Sequence, residues 1–119
     1  MRPIESFLMA FYIMDACYDV CKEDDLGMFL SMISPELWSD GLPADKEMYK
    51  DWKKMVQHTE VTDENIIEQC LAYLQLYRRS LNLRIPETEQ FLKTQVTKRL
   101  IEWAQNAAQK KCEKHQYTC

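Results

Sequence analysis

Glycine is nearly missing from this chain: Gly27 and Gly41 are the two that its 119 residues contain. That scarcity excludes the glycine-rich loops that cradle phosphates and the dinucleotide fingerprint, because both need backbone that no side chain obstructs. No segment alternates apolar and polar residues with β-branched enrichment, so strands are not expected. The longest unbroken apolar run is the eight residues Phe7–Met14. A membrane-spanning helix needs about 20 such residues, and Asp15 and Asp19 interrupt well before that. Arg2 followed by this run imitates the start of a secretory leader, yet Asp15 in front of Ala16-Cys17 spoils a small-residue cleavage site. An interfacial anchor would carry Lys and Arg on its polar face, whereas this segment carries Glu5, Asp15 and Asp19. No membrane association is therefore expected.

Catalytic patterns are also scarce. There are two histidines, His58 and His115, and no spacing ties either to a cysteine as a thiol–base pair would require. The H-E-x-x-H signature, a calcium loop and paired Glu-x-x-His motifs are absent from the sequence. The chain reads as a non-enzyme with no cofactor.

What is there reads as helix. Pro3 suits a first helical position, where its missing N–H would have no partner. From Ile4, the residues Phe7, Leu8, Phe11, Met14 and Tyr18 follow one helical face, while Met9, Ala10, Ile13, Cys17 and Val20 fall elsewhere on the wheel. A helix apolar nearly all round is covered on most sides, so Ile4–Cys21 is expected at the centre of the fold. A second helix follows from Leu26 to Ile33, capped by Asp24 or Asp25. Ser34-Pro35-Glu36 opens a short irregular helical cap that carries Leu37 and Trp38 and stops at Asp40-Gly41. A third helix is predicted from about Asp45 to Gln57. Thr62-Asp63-Glu64 is a start signature for a fourth, reaching about Leu81. Pro86-Glu87 opens a fifth that runs to about Lys111, a rod of about 38 Å with Leu92, Val96, Leu100, Trp103 and Ala107 as its stripe, widened by Ala104 and Ala108. The expectation is an all-α, single-domain four- to five-helix bundle over 1–119, with an irregular cap after the second helix and a frayed tail at 112–119.

Charge is unevenly spread. Residues 1–64 hold 14 acidic and 6 basic side chains, a balance of −8; residues 65–119 hold 5 and 9, a balance of +4; together these give the net −4. Internal complementarity between the halves is the favoured explanation, and the overall acidity disfavours nucleic acid as a partner. Asp15 falls between Ile4 and Leu8 on the wheel, inside the apolar face. A buried acid calls for a cation, and Arg78, Arg79, Lys98 and Arg99 are the candidates; the competing reading makes Asp15 a functional acid with a raised pKa. Five cysteines without an export signal fit reduced thiols in a cytoplasmic protein. Cys17 and Cys21 lie one turn apart, and with Cys112 and His115 they would make a zinc ligand set if the first and last helices ended together. Structural free thiols are the favoured alternative.

Trp38, Asp40, Asp45, Glu47, Tyr49 and Asp51 are the candidate partner-binding residues: an acidic rim around two aromatics resembles an interaction hot spot. The resulting expectation is a small acidic protein–protein interaction module of inhibitor or immunity type, with a basic protein as partner. The alternative is a bundle that holds a small molecule or metal near Asp15 and Cys17; a homodimer through the fifth helix is a third reading.

Overall fold

The structure, a computed structural model, describes residues 1–35 and 46–115, with only the backbone of His115. Among them are six helices and no strand: α1 (Pro3–Cys21), α2 (Asp24–Ile33), α3 (Lys46–Met55), α4 (Ile66–Tyr77), α5 (Pro86–Thr94) and α6 (Lys98–His115). The expected all-α bundle is what forms. The predicted cap residues Leu37, Trp38, Asp40 and Gly41, and the end of the tail, lie outside the described residues.

α1 is the central element, and it contacts each of the other five helices. Phe7, Leu8, Met9, Ala10, Ile13, Met14 and Cys17 are all buried, with Ile13 and Met14 fully so. A wheel apolar on most sides is covered on most sides, and Asp19 and Val20 near its end are the exposed part. Pro3 stands in its first turn, and at the far end Lys22 adopts a left-handed conformation (φ 55°). Its N–H donates to the Tyr18 carbonyl at 2.9 Å, closing the last turn.

Aromatic rings fill the space between α1, α2, α3 and α4. Tyr73 sits edge-on to Trp52, Phe29 and Phe7, with ring centroids 5.2, 5.6 and 6.0 Å away. Such edge-to-face contacts match ring quadrupoles as well as bury area. Two buried polar ends are satisfied inside this cluster: the Tyr73 hydroxyl donates to the Met48 carbonyl at 2.6 Å, and the Trp52 indole N–H donates to Ser6 Oγ at 2.9 Å.

The predicted fourth helix is shorter than its periodicity implies. Thr62 does mark its start, since Thr62 Oγ1 accepts from the Glu64 N–H. The regular helix ends at Tyr77, and Asn82 turns the chain with φ 51°.

The predicted fifth helix is a correction: it is two helices, broken at Gln95-Val96-Thr97. Thr97 Oγ1 accepts from the Leu100 N–H at 3.1 Å and so caps α6, while β-branched Thr94, Val96 and Thr97 crowd the gap. A straight rod of about 38 Å would also exceed the longest dimension of the molecule, 35 Å. The break lets both pieces lie on α1. Gln95 shares a surface depression with Val20 and Cys21, and Trp103 meets Tyr12 edge-on with centroids 6.0 Å apart, so α6 runs antiparallel to α1. The break also resets the buried stripe. Ala104, Ala108 and Cys112 face inward, and Trp103, expected in the core, is half exposed.

Candidate functional site

Five acids cluster where α1 ends and α2 begins: Asp15, Asp19, Glu23, Asp24 and Asp25. Two of them hold the second half of the chain. Glu23 Oε1 accepts from the Thr88 N–H at 2.5 Å and from the Thr88 hydroxyl at 2.8 Å. Thr88 is the third residue of α5, so Glu23 caps that helix from another element and places negative charge at its positive end. Asp25 Oδ2 accepts from the Arg84 N–H at 2.7 Å. The complementarity expected between the halves is therefore made partly through backbone N–H groups.

Asp15, Asp19 and Asp24 are left facing solvent or a groove. The groove lies between α1 and α2, has a volume of about 360 Å³, and is lined chiefly by Phe11, Asp15, Tyr18, Asp24, Met28 and Leu30. Gly27 lets its two walls approach: a Cβ there would stand 2.8 Å from the Tyr18 ring, so glycine leaves room for the ring edge against α2. Met28 is 43% exposed on the rim. The ion pair expected for Asp15 is not made. Arg78 pairs with Glu89 at 3.5 Å instead, and Asp15 has no ion pair among the described residues. Partial burial, and then the like charge of Asp19, push its carboxyl above the ordinary carboxylate range.

Cys17 and Asp15 do not share a site. Two residues apart, they point about 200° apart around the helix. Cys17 faces inward toward Cys70, Thr88 and Glu23. Its Sγ lies 3.7 Å from that of Cys21, and Cys21 Sγ lies 3.6 Å from the Glu87 carbonyl oxygen. Burial, and then the neighbouring Cys21 thiol, push the Cys17 thiol up to about 12; burial does the same to Cys70. Cys112, the third member of the candidate zinc set, is buried on the same side of α6 as Ala104 and Ala108. It follows Trp103 by nine residues, about 13.5 Å along an antiparallel helix, which places it toward the Pro3 end of α1. Cys112 therefore does not join Cys17 and Cys21, the side chain of His115 lies outside the described residues, and among the described residues no group of three Cys, His, Asp or Glu side chains could hold a metal ion.

Of the sequence-predicted contact residues, Trp38, Asp40 and Asp45 lie outside the described residues. Glu47 is exposed and pairs with Lys50 at 3.2 Å. Asp51 is exposed and accepts from the Tyr77 hydroxyl at 2.5 Å. Tyr49 is a core residue at 7% exposure, its ring tilted 53° to that of Phe7 with centroids 5.1 Å apart and Lys53 Nζ 5.5 Å from its centre. The helix that carries these three also bears Lys46, Lys50, Lys53 and Lys54, so it is not acidic. The α1–α2 groove was not singled out from sequence, although Gly27 inside an amphipathic helix is the signal for a close approach.

Comparison with protein-family models, with curated proteins and with solved structures found no match to this chain.

Proposed function

We propose that this chain is a small, non-enzymatic protein–protein interaction module, and that its contact face is the groove between α1 and α2. The observation that carries the reading is the groove's lining. Apolar side chains from Phe11, Met28 and Leu30 are joined there by Asp15 and Asp24, and no lysine or arginine is among the lining residues described. An apolar floor with an acidic edge suits a partner that presents an apolar anchor beside lysine or arginine. The raised pKa of Asp15 fits the same picture, since a cation arriving between Asp15 and Asp19 would relieve their repulsion. An inhibitor or immunity role against a basic protein belongs to this reading, as does a cytoplasmic setting in which Cys17, Cys21 and Cys70 stay as free thiols. No helix among the described residues is long and apolar enough to cross a membrane.

Affinity capture from a host lysate at low and high salt tests this. A basic protein is expected to be retained at low salt by the wild-type chain, and to be lost both at high salt and on Asp24→Lys. Capture that ignores both salt and the substitution would remove the groove from consideration.

A second reading rests on the size of the same groove, which falls within the range of small-molecule sites. A cationic metabolite held by Asp15 would raise the melting temperature in a ligand panel, and Asp15→Asn would abolish that rise.

A further inference from the structure

The thiol pair at the end of α1 is used by neither reading. Cys21 is half-buried and opens into a depression of about 280 Å³ shared with Val20, Glu87, Gln90, Phe91 and Gln95. Cys17 lies fully buried behind it, with the two Sγ atoms 3.7 Å apart. Both are free thiols.

That separation discriminates among the centres two thiols could hold. If both sulfurs bonded one atom at about 2.3 Å, the length of a zinc–thiolate bond, the angle at that atom would be about 107° at the observed spacing. This is a bent angle, and a linear two-coordinate ion would require the sulfurs to move apart. Zinc accepts the angle but needs two further ligands, and no third ligating side chain joins the pair among the described residues. Zinc must also expel both thiol protons, and the environment of Cys17 resists that strongly. A trivalent arsenic oxide meets neither obstacle. Arsenic(III) is pyramidal with bent S–As–S angles, and it reacts with the protonated thiols because their hydrogens leave on its own oxygen.

We propose that Cys17 and Cys21 form a chelating dithiol site for trivalent arsenicals, the class of arsenite and the monoorganoarsenic(III) oxides. With phenylarsine oxide, two S–H bonds and the arsenic–oxygen bond break, two As–S bonds form, and one water leaves; arsenic remains trivalent and no electrons are transferred. With arsenite, two of three hydroxyl groups leave as two waters. The remaining substituent on arsenic points out through the depression beside Val20 and Phe91, and Cys21 gives up its contact with the Glu87 carbonyl.

Reduced full-length protein treated with one equivalent of phenylarsine oxide, and read by intact mass and free-thiol count, tests the site. One arsenical per chain is expected, with two thiols lost, and the adduct survives excess monothiol but is released by a dithiol. Cys21→Ser, a substitution at the half-exposed position, abolishes the adduct while the helical circular dichroism is retained; Cys112→Ser leaves it unchanged. Should Cys17→Ala unfold the chain, Cys21→Ser still carries the test. Absence of a stoichiometric adduct, an adduct that persists in Cys21→Ser, or one that is lost in Cys112→Ser would each overturn the proposal.

Discussion

Ser6 is the single polar side chain on which the most buried structure converges. Its Oγ donates to the Pro3 carbonyl at 2.9 Å and accepts from the Trp52 indole, joining the start of α1 to α3 inside the core. Ser6→Ala removes the acceptor and leaves the Trp52 N–H buried without it, at a cost of about 1–3 kcal/mol. Urea unfolding followed by tryptophan fluorescence measures the loss; an unchanged midpoint would show that another group or water takes over the N–H. Asp15 gives the opposite sign. Its carboxyl pKa is raised in the folded state, so the native chain binds the proton more tightly than the unfolded chain does. Stability from this group is therefore greatest in acid and is lost as pH rises through the folded-state pKa. Asp15→Asn, which removes the charge, is expected to raise the melting temperature at neutral pH. The difference should close as pH falls below the ordinary carboxylate range. An Asp15→Asn variant less stable at neutral pH would mean the carboxylate has a favourable partner after all.

At the scale of the element, helix ends decide more than helix interiors. α5 begins without a side-chain cap of its own, and Glu23 supplies one from across the fold. Glu23→Ala deletes two hydrogen bonds to Thr88, one of them to a helix N-terminal N–H, and should cost about 2 kcal/mol. Hydrogen exchange at the Thr88 amide is the specific readout, because a merely global loss would speed all core amides alike. Thr97 works locally at the start of α6, and Thr97→Ala is expected to cost about 1 kcal/mol through the lost cap. The same residue explains why the periodicity predicts one helix where two form. Pro86 to Lys111 carries apolar residues at helical spacing throughout, and nothing in that period marks a stop. The break is written in Thr97, a cap residue, and in the β-branched residues before it, a weaker signal than the period. Ala104 and Ala108 are legible from the period as part of the buried side, whereas Cys112 is not, since its facing depends on where α6 restarts.

For the molecule as a whole, the arrangement around α1 predicts cooperativity. α1 belongs to the acidic first half, yet it is covered by α4, α5 and α6 from the second half. The radius of gyration, 13.2 Å, is close to the roughly 13.5 Å expected of one compact chain of this length. Fluorescence and circular dichroism should therefore report one coincident unfolding transition. A fragment ending after residue 64 should not fold alone, because it would expose the apolar wheel of α1; a folded fragment 1–64 would refute this. The clustering of acids on one half is explained in part by the same packing, since Glu23 and Asp25 are turned onto backbone of the other half.

By itself the sequence determined that the chain is helical and that Ile4–Cys21 lies at its centre. Those properties follow from local periodicity and from a helix that is apolar on most sides. It could not determine which acids would be spent on capping, which would line a groove, or that Cys112 would lie far along the bundle from the Cys17–Cys21 pair. Those outcomes depend on contacts between residues distant in the chain, such as Glu23 with Thr88 and Gly27 against Tyr18. Such contacts exist only once α2 and α5 have packed onto the end of α1.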